Sequence, residues 1–103
     1  MQSLMKSRGG LVGTITKIEG FIQVCQDDLS LTTKQALMSQ LEILKSVRGK
    51  YQEIQQQIID KQESDSRKQN EHDGMVDILS KCSLLEQQLE KLLLEAQDSG
   101  SQR

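Results

Sequence analysis

Apolar residues recur along this chain at alternating spacings of three and four. Leu11, Ile15, Ile18, Ile22 and Cys25 form the first such series, and Leu4 lies seven positions before Leu11. Arg8 stands in the one vacant place between them. This is the heptad rhythm of a helix that buries one stripe against a partner helix. Val12, Phe21 and Val24 widen the stripe, and the pattern predicts a helix over about residues 4–26. Gly9, Gly10 and Gly13 each weaken that helix by about 1 kcal/mol relative to Ala. Either the helix starts late, near Leu11, or the glycines admit the close approach of another backbone.

Residues 27–31 break the rhythm. Thr32 follows as an N-cap, with Gln35 three residues on completing a capping box and Leu31 and Ala36 set for a small hydrophobic staple. A second helix is predicted over about 33–61. Leu37, Leu44, Tyr51 and Ile58 repeat every seven residues, and Leu41, Val47 and Ile54 fill the same face. A connection of about five residues between two helical patterns is an αα-hairpin, so the two should pack antiparallel.

Residues 60–74 hold no large apolar side chain and read as a polar bridge or a loop. Stepping by sevens from Ile54 reaches Met75, Cys82, Leu89 and Ala96. This preserved phase favours a long, bent helix, with Gly74 as the expected bend. The third series, Met75, Ile78, Cys82, Leu85, Leu89, Leu92 and Ala96, alternates three and four without error and predicts a helix over about 75–97. Residues 98–103 read as a polar tail. The expected fold is one all-α module spanning 1–103, an antiparallel helical hairpin continuing into a C-terminal coiled-coil helix. The alternative is a monomeric three-helix bundle.

Composition agrees with helices and narrows the function. The 103 residues include no Pro and no Trp, with one Tyr and one Phe, where an average chain of this length has about five Pro. Few aromatics argue against a sandwich or barrel, and the composition suggests no enzyme. The formal net charge of −2 excludes a strongly basic nucleic-acid binder. Residues 1–50 carry a net +3 and residues 51–103 a net −5, an asymmetry that favours contact between the halves or between copies. Lys6, Arg8 and Lys17 are the candidate phosphate contacts, a weak signal without interleaved aromatics. Nucleic-acid binding through this segment alone is not expected.

No catalytic or metal constellation is legible, and no cofactor is expected. Cys25 and Cys82 occupy apolar helical positions and read as small hydrophobes in a reducing compartment, though a disulfide between them is open. His72, the single histidine, lies in the most polar stretch, where no apolar wall would form a pocket around a general base. Asp27, Asp28, Asp60, Glu63 and Asp65 do not follow the spacing of a calcium loop. No apolar run approaches the ~20 residues a bilayer needs, and the N-terminus lacks the apolar stretch of a signal peptide. An intracellular, cytoplasmic protein is expected. The third seam looks too regular to be spent within one chain, so homo-oligomerisation through residues 75–97 is expected.

Several short stretches carry a family resemblance: Lys6-Ser7-Arg8-Gly9-Gly10, Thr16-Lys17-Ile18-Glu19-Gly20-Phe21-Ile22, Leu37 to Leu44, and Tyr51-Gln52-Glu53-Ile54-Gln55-Gln56-Gln57-Ile58. Over about residues 4–95 the chain resembles the N-terminal helical region of Gag polyproteins of BEL/Pao-type LTR retrotransposons, or a host protein derived from one. The resemblance implies a structural role, self-association during particle assembly. An intracellular coiled-coil adaptor that binds a partner helix, and a weak RNA-binding helper, are the alternatives.

Overall fold

The computed structural model describes residues 2–28 and 33–101, with side chains placed through Glu95. Three helices make up the described chain: α1 (Gln2–Asp27), α2 (Lys34–Asp60) and α3 (Asp65–Ser101). The all-α, three-helix expectation holds. The molecule is a rod of 60 × 21 × 19 Å. Its long axis matches the ~56 Å that the 37 residues of α3 span at 1.5 Å each.

Two local predictions are corrected. The cap of α2 is Thr33, one residue later than expected. Its hydroxyl accepts from the Ala36 amide at 3.1 Å, so Gln35 does not occupy the capping-box position. The predicted contributions of Leu31 and Thr32 lie outside the described residues.

The second correction concerns residues 60–74, which are neither one loop nor a bent bridge. The chain turns sharply at 61–64. Lys61 closes α2 through its amide. Ser64 opens α3: its hydroxyl accepts from the Arg67 amide at 3.2 Å, and its carbonyl from the Lys68 amide at 3.0 Å. Asp65 then places a negative charge at the positive end of the helix. From there α3 runs through Gly74 without interruption. Apolar periodicity could not place this turn, because both the turn and the first turns of α3 are polar.

The tight turn folds α3 back on α2. Gln55 reaches Glu71, and Arg48 reaches Glu86, so these two helices run antiparallel. Arg8 reaches Gln55, as an antiparallel α1–α2 hairpin requires. Arg8 also meets Glu71 and Glu19 meets Lys81, in the same order along both helices, so α1 and α3 run parallel with an offset of 63 and 62 positions. The interface of α2 with α3 is the largest, and that of α1 with α3 the smallest.

In this register the three heptad seams meet as successive layers. Ile18, Leu44 and Cys82 share one level, and Cys25, Leu37 and Leu89 another. All six are buried in one core cluster. A second cluster, with Tyr51, Ile59 and Met75, fills the end near the α2–α3 turn. Ile54 is only half-buried, whereas its neighbour Gln55 takes the core position.

α1 is helical straight through its glycines, beginning at Gln2 and not near Leu11. A Cβ added at Gly9, Gly10, Gly13 or Gly20 would meet nothing within 4 Å, and none of these has a positive φ. No helix of this chain approaches closely at these sites, so they only lower helix stability. Gly13→Ala and Gly20→Ala should each raise unfolding free energy by about 0.5–1 kcal/mol. Urea titration followed by circular dichroism measures this, and an unchanged or lower midpoint contradicts it.

Candidate functional site

The most unusual feature of the interior is a polar layer inside the apolar stack. Counting back from Leu11, Ile58 and Met75 along their seams gives Arg8, Gln55 and Glu71. Each of these occupies a place where the heptad calls for an apolar side chain. The register brings all three to one level, between a layer holding Ile58 and one holding Tyr51 and Met75. Gln55 is 1% exposed. Arg8 and Glu71 keep about a quarter of their side-chain surface in solvent.

Every partner in this layer is matched. The Arg8 guanidinium donates from Nη1 to Oε2 of Glu71 and, at 3.2 Å, to Oε1 of Gln55. Gln55 Nε2 donates to the Glu71 main-chain carbonyl at 2.8 Å and to Glu71 Oε2 at 3.1 Å. One residue from each helix thus closes a cycle of charge-assisted hydrogen bonds. Among the described residues no buried polar side-chain atom lacks a partner. Tyr51 lies beside the layer. Burial pushes its phenol above the ordinary value of 10.0, with Arg8 opposing the rise and Glu71 adding to it. What this arrangement can do chemically is hold three helices at one height, because its bonds form only when all three residues are level.

A second ion pair ties α2 to α3. Arg48 Nη1 donates to Oε2 of Glu86, whose carboxylate side is nearly buried. A third, Lys81 Nζ to Glu19 Oε1 at 3.1 Å, ties α3 to α1 at a more open position.

The predicted hairpin residues lie as follows. Ile15, Ile18, Ile22, Cys25, Leu37, Leu44, Val47, Tyr51 and Ile58 are buried; Leu11, Leu41 and Ile54 are half-buried. The seam predicted to face a second copy has a different position. Met75, Cys82, Leu85, Leu89 and Leu92 are buried within the single chain, and Ile78 packs half-buried beside them. The side chain of Ala96 lies outside the described residues. The turn at 61–64 explains the difference: it returns α3 onto its own α2 and α1, which take the place expected for a partner. The predicted phosphate contacts do not form one patch. Arg8 is held inside the polar layer, while Lys6 and Lys17 are exposed and separated along α1 by ~16 Å.

The sequence alone presents Arg8 as a gap in the first seam and a candidate phosphate contact, Gln55 only as part of a family-like stretch, and nothing in it singles out Glu71. The signal is present: Arg8 and Gln55 each interrupt a heptad series, and Glu71 stands one step before the first apolar member of the third. It becomes readable only once the helices have a register.

Both cysteines are free and buried. Cys25 shares the rim of a small cleft with Gln88 and Leu92, six residues along α3 from Cys82. That is ~9 Å of axial rise, beyond the ~7 Å Cα separation a disulfide tolerates. Burial also pushes the Cys82 thiol upward from 9.0, and the neighbouring Glu86 carboxylate adds to the shift. Both thiols should therefore resist Ellman's reagent in the native protein and react in urea with the unfolding transition. Rapid native labelling of Cys82 contradicts its placement.

No group of His, Cys, Asp and Glu among the described residues is arranged to hold a metal ion. No described helix is long and apolar enough to cross a membrane. Compared with known proteins, the chain matches no family model, no curated protein sequence and no solved structure.

Proposed function

We propose that this chain is a non-enzymatic assembly module that associates with copies of itself, in the manner of a Gag leader of the BEL/Pao type. One observation carries the reading: four of the seven exposed large apolar side chains among the described residues lie at one height of the rod, while Met5, Val76 and Leu94 lie elsewhere along it. Val24, Met38, Ile43 and Leu84 are each between 42% and 56% exposed. In the register of the bundle, Ile43 lies level with Gly20, Leu84 with Phe21 and Ile22, and Met38 with Cys25. All four fall within ~8 Å of rise, towards the end where α1 joins α2. Scattered exposed apolar residues are ordinary, but a concentration of them marks a surface that gains by being covered. A belt this narrow suits weak, reversible contact between rods.

Sedimentation equilibrium tests the reading. The wild-type chain should self-associate at micromolar to millimolar concentration, and Ile43→Asp with Leu84→Asp should return it to monomer without loss of helicity. A wild-type chain that stays monomeric throughout overturns the proposal. Substitutions at Leu85 or Leu89 cannot serve as this test, because they reach the core.

A further inference from the structure

The three helices are not equally held. α1 contributes the smallest interface, that with α3, and carries four glycines in 26 residues, against one in α2. Among the described residues, two polar contacts fasten it to α3: Arg8 to Glu71, with Gln55 of α2 in the same cycle, and Glu19 to Lys81. The α2–α3 pair has the largest interface and its own ion pair, Arg48 to Glu86, which does not involve α1. Elements with less cover and weaker local propensity open before the rest of a fold.

We infer that α1 is a strap that opens as a unit from an intact α2–α3 pair, and that the groove it leaves takes up α1 of a second copy. The chemistry of the groove selects this occupant. An open groove presents an apolar wall of Leu44, Cys82, Leu85 and Leu89. Near one end it also presents the Gln55 carboxamide and the Glu71 carboxylate, stripped of their guanidinium. A helix that fits must bring a cation three residues ahead of an apolar heptad. Arg8 followed by Leu11, Ile15, Ile18 and Ile22 meets that requirement. A helix without the cation leaves a carboxylate unpaired at a half-buried site, which strongly disfavours it. The exchange rests on the self-association reading and deepens it: the exposed belt brings closed rods together, and α1 is the element they trade.

Opening is tested by native-state hydrogen exchange on the full chain. Interior amides of α1 should exchange at least about tenfold faster than those of α2 and α3. Arg48→Ala removes a contact that survives opening, so it should speed exchange in α2 and α3 by about tenfold and leave α1 unchanged. One common rate for all three helices, or equal acceleration of α1 by Arg48→Ala, overturns the strap. Trading is tested by E19C/K81C, bridged at low concentration with a bis-maleimide that spans the two positions whose wild-type side chains meet, which pins α1 to its own α3 while the buried Cys25 and Cys82 stay unlabelled. Concentrated wild type should yield dimers that persist on dilution, and the pinned chain none. Dimers that persist in the pinned chain overturn the exchange but leave self-association standing. A wild type that never associates overturns both.

Discussion

Leu89→Ala should destabilise the protein by about 3–5 kcal/mol, among the largest effects expected from a single truncation in the chain. Leu89 has no exposed surface and sits in the main cluster, level with Cys25 and Leu37. Removing its branched end deletes dispersion contacts with all three helices and leaves a void that tightly packed neighbours cannot fully close. A domain of this size has about 5–15 kcal/mol in total, so the variant should be partly unfolded near 37 °C. The measurement is urea unfolding at low micromolar concentration. It also separates two arrangements of the same residue. A leucine waiting on a free face for another chain would change the stability of the isolated molecule by less than about 0.5 kcal/mol. A loss below ~1 kcal/mol would therefore put Leu89 outside the core. Leu89→Asp and Leu85→Asp should abolish folding altogether, since a carboxylate would enter the same cluster without a partner.

Arg8→Ala should cost about 2–3 kcal/mol, although Arg8 lies near the start of the first helix, where ends usually fray. The loss has two parts. Two charge-assisted hydrogen bonds disappear, and the Glu71 carboxylate is left facing Gln55 without its cation. Replacing all three members together, as R8L/Q55L/E71L, should give a different outcome. Apolar side chains of similar length remove the unpaired groups, so stability should match or exceed wild type. The same variant should lose its single packing arrangement. An amide NMR spectrum should then show excess or broadened peaks where wild type shows one set. A triple variant that is both stable and conformationally single would show that the layer does not select the packing.

Much of the architecture is legible in the sequence. Alternating three- and four-residue spacings locate all three helices, because burying a stripe imposes its period on the sequence whatever the helix packs against. The same property explains what was not legible. A period tells which side of a helix is covered and not what covers it, so the seam from Met75 to Leu92 points to a second copy, whereas the chain's own α1 and α2 cover it. Polar positions carry no period. The break at 61–64 and the start of α3 at Asp65 are therefore hidden in one hydrophilic stretch, and Gly74, the expected bend, lies within continuous helix. Gln55 was missed for a related reason. Beside Ile54 and within a run of glutamines it looks like helix surface, and only its height, level with Arg8 and Glu71, places it in the interior.

A bundle built on sevens has a hidden ambiguity: one rod can glide a whole repeat along its neighbours and still find grease against grease. In this chain such a glide is not silent. Moved one repeat one way, α1 would set Ile15 opposite Glu71; moved the other way, it would set Arg8 opposite Ile78. Either mistake strands a charge among hydrocarbon, at a cost of several kcal/mol. One notch in an otherwise repeating ladder is enough to make a single rung the correct one.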